Sequence, residues 1–167
     1  MRALGLAALA VLAAVFAWAG LEKDPAPSLD LFKALAGEWV SVDEEGEPSG
    51  EAGVTYRVTA GGSAVLETVF PGTPKEMLTV YHRDGDDLVL THYCVLGNQP
   101  RMRCKAVEGK TLRFRFEGGA NIDPAKDMHM HDATFTFVDA NTLESVWTLH
   151  DAGKTIETAK FRYARKR

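Results

Sequence analysis

Apolar and polar residues alternate with a period of two through most of the chain, and this pattern predicts short β-strands. Successive strand side chains point to opposite faces, so each segment predicts a strand with one apolar face. Turn sequences such as Gly61-Gly62, Pro71-Gly72 and Asp84-Gly85 separate the segments. About ten strands are predicted, within the ranges 39–42, 54–59, 64–70, 77–83, 88–94, 101–106, 112–116, 129–137, 143–149 and 156–163.

The order of these segments predicts an all-β protein. One short helix over 29–36 precedes the strands, with Ser28 or Asp30 as candidate cap and Gly37 at its end. No helical crossover separates the strands, which excludes a parallel sheet. Consecutive hairpins with one apolar and one charged face favour an antiparallel up-and-down β-barrel of about ten strands. A two-sheet sandwich is the alternative.

The N-terminal segment has the parts of a secretory signal peptide. Arg2 supplies a positive charge, residues 3–19 carry none, and Ala17-Trp18-Ala19 is a small-residue cleavage site. We therefore predict a signal peptide over 1–19, a linker over 20–28 and one barrel domain over 29–167, exported to the periplasm or secreted. The alternative is an uncleaved anchor, although the run is slightly short of the roughly 20 residues that a bilayer needs. No later apolar stretch is long enough to span a membrane.

The charge balance argues against a nucleic-acid partner. The chain has 19 Lys and Arg against 23 Asp and Glu, and cleavage would remove only Arg2, leaving 18 against 23, or −5. Five basic residues on two neighbouring strands are predicted to form one outer stripe, which either attracts an anionic partner or is a solvated face offset by nearby acids. They are Arg101, Arg103, Lys105, Arg113 and Arg115.

The two cysteines are predicted to form a disulfide, because export delivers the chain to an oxidising compartment. Cys94 and Cys104 are equidistant in sequence from Gln99, the expected centre of a hairpin turn. Residues equidistant from such a centre face each other across the two strands. Two free thiols would instead favour reactive or metal chemistry.

A resemblance to a known superfamily follows from the segment Leu35-Ala36-Gly37-Glu38-Trp39 and the meander after it. A helical turn leading into Gly-x-Trp and about ten strands resembles the calycins, which include lipocalins and fatty-acid-binding proteins. The stretches 91–94 and 97–102 are similar to exported bacterial members of that group. The resemblance implies that Gly37 and Trp39 place an indole at the closed end of the barrel.

Three histidines are candidate metal ligands. His129 and His131 are predicted to share the inward face of Ala133 and Phe135, and His92 shares a face with Leu88, Leu90 and Cys94. Three imidazoles are a ligand set that zinc accepts, with a fourth position left for water. The alternative is three hydrogen-bonded histidines near the barrel rim. Glu67 and Glu144 are candidate acids or bases, although a solvated strand face is the preferred interpretation of both.

These observations predict a binder of a small apolar or amphipathic ligand, held in the barrel interior. No cofactor is predicted, with zinc and haem left open. One alternative is a metal-dependent or other enzyme that uses His92, His129 and His131, and another is a structural or partner-binding domain with a filled core. The candidate ligand contacts are Trp39, His92, Phe114, His129, His131, Phe135 and Trp147.

Overall fold

The computed structural model of the chain describes residues 25–51 and 53–167. The predicted signal peptide and most of the predicted linker lie outside the described residues. Among the helices of the described part, none has the length and apolar character needed to cross a membrane.

Eleven strands follow one four-residue helix, α1, which spans Asp30–Lys33 and is shorter than the predicted helix. A short 3-10 turn at Ala60–Gly62 joins the second and third strands. The strands are β1 Gly37–Ser41, β2 Val54–Thr59, β3 Ala64–Val69, β4 Met77–Asp84, β5 Asp87–Tyr93, β6 Gln99–Cys104, β7 Val107–Glu108, β8 Thr111–Ala120, β9 His129–Asp139, β10 Thr142–Asp151 and β11 Lys154–Arg165.

The strands form one closed antiparallel barrel, which confirms the predicted fold class. Ten strands pair with their neighbours along the chain, and β1 pairs with β11 to close the ring. The ring passes directly from β6 to β8, so the two-residue strand β7 is an addition beside β8. Closure leaves no exposed sheet edge in the ring, the feature that distinguishes a barrel from the sandwich alternative.

Helix α1 inserts one aromatic side chain into the barrel. Phe32 is fully buried and stacks on Tyr81, with ring centroids 3.9 Å apart. It also makes edge-to-face contacts with Phe114 and Phe135 at 6.0 and 5.4 Å. Such pairs add stability beyond the area that they bury. The helix therefore acts as a plug for the aromatic core.

Trp39 joins the end of this helix to the last strand. Its indole Nε1 donates to the carbonyl oxygen of Leu35 at 2.7 Å, and the guanidinium of Arg165 lies 4.4 Å from its ring centroid. Arg165 also donates to the carbonyl oxygens of Ala34 and Ala36 at 2.8 and 3.0 Å. Gly37 has a φ of +127°, a conformation that favours glycine. The Gly-x-Trp residues thus lie beside the plugging helix, compatible with a calycin-like barrel.

The predicted Cys94–Cys104 disulfide is wrong, and both thiols are free. The β5–β6 turn is centred near residue 96, because the amide of Gly97 donates to the carbonyl of Cys94 at 3.0 Å. The register therefore pairs Cys104 with Leu88. At about 3.3 Å per residue, Cys94 lies roughly 20 Å along the strand from Cys104, which also prevents the two thiols from sharing a metal ion.

We expect both cysteines to be reduced in the folded protein. Burial raises the pKa of each thiol, which suppresses the reactive thiolate. Denatured protein that has not been treated with a reductant should therefore gain two carbamidomethyl groups from iodoacetamide. Intact-mass spectrometry checks this. A mass unchanged by iodoacetamide until reductant is added would show a disulfide and an incorrect β5–β6 register.

The positive charges of the predicted outer stripe are balanced by ion pairs with acidic residues. Arg103 contacts Asp84 and Asp87 at 2.7 and 3.1 Å and also pairs with Glu117. The remaining arginines of the stripe have acidic partners as well: Arg101 with Asp84 and Glu117, Arg113 with Glu108 and Arg115 with Asp132. This arrangement supports the solvated-face interpretation.

Candidate functional site

Four polar side chains form a row across the barrel interior. Strand register pairs Tyr56 with Glu67, Glu67 with Thr79, and Thr79 with His92 on β2 to β5. All four are buried, with Glu67 only 3% and His92 only 2% exposed. We call these residues the polar row. Buried polar groups are costly unless they are hydrogen-bonded, so the contacts of each member decide what the row can do.

Glu67 is the centre of the row and accepts two phenolic hydrogen bonds. The hydroxyl of Tyr56 donates to Oε1 at 2.7 Å, and that of Tyr81 donates to Oε2 at 2.6 Å. The preferred interpretation of Glu67 as a solvated residue is therefore wrong. The interpretation as a solvated residue is correct for Glu144, because its half-exposed carboxylate pairs with Arg162 on the outer face.

Burial sets the protonation of this carboxyl group and its partners. Desolvation raises the pKa of Glu67, while hydrogen bonds from Tyr81, Tyr56 and Thr79 act against that rise. Burial and the neighbouring carboxylate raise the pKa of both tyrosines well above the usual value. Both phenols therefore stay protonated and remain hydrogen-bond donors.

His92 ends the row with one ring nitrogen unsatisfied. Its Nδ1 lies 3.0 Å from Oγ1 of Thr79, whereas its buried Nε2 has no hydrogen-bond partner among the described residues. Burial lowers the pKa of His92 to about 4, so the imidazole is neutral at physiological pH. Its ring centroid lies 5.1 Å from that of Trp147.

The tautomer of His92 decides the role of Nε2. The hydroxyl of Thr79 and Nδ1 of His92 share one hydrogen bond at 3.0 Å, in which either atom can donate. With the single proton of the neutral imidazole on Nδ1, Thr79 accepts and Nε2 keeps its lone pair. In that tautomer Nε2 is a hydrogen-bond acceptor.

His92 lines a small, partly open cavity of about 90 Å³. The walls are mainly apolar, with polar groups from β3, β5, β10 and β11. They are formed by Glu67, Val69, Phe70, Met77, His92, Met130, Ser145, Trp147, Phe161 and Tyr163. A water molecule occupies about 30 Å³ in the liquid, so the cavity suits a molecule of a few heavy atoms.

The structure places the predicted ligand contacts in three regions, which are the cavity, the packed core and the start of β9. His92 and Trp147 line the cavity. Phe114 and Phe135 are buried against Phe32, and Trp39 is buried beside the helix end. These three belong to the packed core and are not among the lining residues of the cavity.

His129 and His131 do not point into the cavity with His92. The β9–β10 ladder shifts register between Thr148 and Leu149, so Leu149 faces Met130. Met130, which lies between the two histidines, lines the cavity instead. The two imidazoles cluster with His150, so the predicted set of His92, His129 and His131 does not form one site.

We expect His92 to make stability depend on pH. The unfolded imidazole has a pKa near 6.5 and the folded one about 4, so the unfolded state binds more protons between these values. Stability therefore falls as pH decreases from 6.5 to 4, by about 3 kcal/mol at about 1.4 kcal/mol per pKa unit. We measure the free energies of unfolding of wild type and His92→Gln with urea across this pH range. The difference between the two free energies should shrink by that amount.

His82→Gln supplies the control, because it removes a partly exposed imidazole that lies outside the polar row. Glu67 contributes with the opposite sign: its raised pKa means that stability is lost as pH increases above about 4.5. That contribution is common to wild type and His92→Gln. A difference between them that stays constant from pH 6.5 to 4 would contradict the buried, neutral state of His92.

Comparison with known proteins does not assign the cavity a role: no protein-family model matches the chain, and no curated protein matches it. The fold is compatible with ligand binding, and any specific activity has to be argued from the site.

Proposed function

We propose that this protein is an exported barrel that binds a small amphipathic ligand carrying a hydrogen-bond donor. The observation that carries the proposal is the unsatisfied Nε2 of His92, a buried residue that lines an apolar-walled cavity, and the proposal includes the tautomer with the proton on Nδ1. Leaving a buried polar atom unpaired costs about 1–3 kcal/mol. A ligand with an N–H or O–H group recovers that energy when it binds, whereas a purely apolar ligand does not.

The size of the cavity limits the ligand class. Pockets for drug-sized ligands commonly measure about 300–1,000 Å³, several times the 90 Å³ available here. A dry cavity of about 150 Å³ is known to hold benzene. The cavity as it stands therefore favours a compact molecule of about five heavy atoms over a fatty acid.

Two phenylalanines give the cavity a route to the surface. Phe70 and Phe161 line it and also line an outer groove of about 450 Å³. Their rings meet edge-to-face with centroids 5.8 Å apart. Phe70 has a φ of +54°, a strained conformation for a bulky residue. Rotation of the Phe161 ring would join the two spaces, admit the ligand and make room for a longer apolar tail.

Pyrrole and furan test the proposal, because the two rings have nearly the same shape and only pyrrole donates a hydrogen bond. Binding is measured by ligand-observed NMR and by shifts of the protein amide resonances. One hydrogen bond is worth about 1 kcal/mol, so wild-type protein should bind pyrrole about fivefold to tenfold more tightly than furan. The changed amide resonances should be those of the cavity residues.

His92→Phe keeps a ring in place and removes the acceptor, so it should abolish the preference for pyrrole. His82→Phe changes a partly exposed histidine outside the cavity and should retain the preference. Absence of pyrrole binding, or an equal preference in wild type and His92→Phe, would contradict the proposal.

Export is the second part of the proposal and is supported by the sequence of residues 1–19. N-terminal sequencing of protein from the producing cell should find a chain that begins at Gly20 or close to it. A chain that retains Met1 in the cytosol would contradict export without affecting the ligand experiment.

A further inference from the structure

Three histidines meet near one end of β9 and β10, away from the polar row. His129 and His150 are direct register partners, and His131 lies two residues further along β9. One ring nitrogen from each lies within 4.8 Å of the others. The other two histidines of the chain, His82 and His92, are not in this cluster, which we call the histidine cluster.

One distance within the cluster is close to that between two ligands of a tetrahedral ion. Nε2 of His129 and Nδ1 of His131 are 3.1 Å apart. Two imidazole nitrogens at about 2.05 Å from zinc in tetrahedral geometry are about 3.3 Å apart. The rings of His131 and His150 stack with centroids 3.7 Å apart and 6° between planes. A tilt of the His150 ring out of this stack would bring its nitrogen to the same ion.

An outer contact already orients His129 in the cluster. Nδ1 of His129 lies 2.8 Å from the carbonyl oxygen of Asp127, which can only accept. The proton is therefore on Nδ1, and Nε2 offers its lone pair towards His131. Metal-binding histidines usually donate their second ring N–H in this way. The hydroxyl of Thr155 contacts Nε2 of His150 at 2.8 Å, a contact that the tilt of this ring has to accommodate.

The surroundings keep the cluster accessible to an ion. His129 is buried, while His131 and His150 are partly exposed, so an ion could enter from solvent. Phe116 packs 4.7 Å from both His129 and His131. Asp132 is engaged with Arg115, which leaves the fourth position of the ion to water.

We propose that His129, His131 and His150 bind one divalent ion of the zinc class, with a solvent molecule as fourth ligand. Neutral imidazole is a ligand for zinc, copper and nickel, whereas calcium and magnesium prefer oxygen. An open fourth position is typical of sites where the ion acts on bound water or substrate. The site is separate from the cavity and does not depend on the ligand proposed there.

Zinc chloride is the probe, titrated calorimetrically into full-length protein that carries no affinity tag. We expect one ion per chain. Cobalt(II), which gives intense visible bands only in tetrahedral sites, reports the geometry. His131→Phe and His150→Phe each remove one ligand while keeping an aromatic ring in the stack. Each should weaken zinc binding by more than about 100-fold, beyond the 10–100-fold typical of outer contacts.

His82→Phe is the matched control and should bind zinc as wild type does. Circular dichroism checks that each variant is folded, and either ligand variant alone suffices for the comparison. The proposal is overturned if wild type binds no zinc, or if a folded ligand variant binds it as tightly as wild type. Tetrahedral cobalt bands that are lost in His131→Phe or His150→Phe would support it independently of affinity.

Discussion

Replacing Phe32 with alanine is expected to lower the free energy of unfolding by about 3–5 kcal/mol. The side chain is fully buried between Tyr81, Phe114 and Phe135, which lie on three different strands. Its removal deletes the contacts that hold α1 in the barrel and leaves a cavity. Urea denaturation followed by tryptophan fluorescence measures the loss.

Ile156→Ala is the control for this substitution, because Ile156 is 52% exposed and has little packing to lose. Its effect should stay within about 0.5 kcal/mol. Equal stability of the Phe32 and Ile156 variants would mean that the helix does not plug the aromatic core.

Glu67→Leu is expected to cost about 2–6 kcal/mol, because it leaves the hydroxyls of Tyr56 and Tyr81 buried without an acceptor. Each unpaired hydroxyl costs about 1–3 kcal/mol. Both donate to Glu67 at 2.7 Å or less, and both are buried. Glu67→Gln keeps one acceptor oxygen and should fall between wild type and Glu67→Leu in the same urea experiment.

A variant that also lacks the hydroxyls of Tyr56 and Tyr81 separates two causes of lost stability. One cause is the unpaired hydroxyls and the other is lost packing around Glu67. When all partners of a buried polar group become apolar, much of the stability returns. The triple variant with Glu67→Leu, Tyr56→Phe and Tyr81→Phe should therefore be more stable than Glu67→Leu alone. A triple variant that is less stable would show that the tyrosines do not depend on Glu67.

The strands and their connections could be predicted from the sequence because their signals are local. Turn dipeptides such as Asp84-Gly85 mark where the chain reverses, and alternation marks the segments between them. The predicted strand order also indicates that β1 and β11 close the barrel, because a meander leaves its first and last strands as the free edges. The barrel could thus be predicted without knowledge of any long-range contact.

The histidine cluster depends on a register that the sequence does not reveal. Regular pairing around the β9–β10 turn would place His150 opposite Met130, on the other face from His129. The irregularity between Thr148 and Leu149 shifts the pairing by one residue and brings His150 opposite His129. A one-residue shift exchanges the faces of a strand, so the alternation pattern alone does not predict that His150 lies beside His129.

The side of the sheet on which Glu67 lies and the strand partner of Cys104 also depend on register. On β3, Val65 and Leu66 are apolar on opposite faces, so alternation does not decide the side on which Glu67 lies. The phenolic partners that stabilise it inside come from β2 and β4 and are visible only in the register. The cysteine pairing assumed a turn centred on Gln99, whereas the positive φ of Gly97 allows a tighter turn nearer to Cys94.

The proton on His92 tests the central claim most directly. Long-range ¹H–¹⁵N NMR correlation distinguishes the two tautomers of neutral imidazole, and it can be recorded while pyrrole is added. We expect the proton on Nδ1 throughout, with the Nε2 resonance shifting as pyrrole donates to it. A proton on Nε2, or an Nε2 resonance that pyrrole does not shift, would contradict the proposed cavity chemistry.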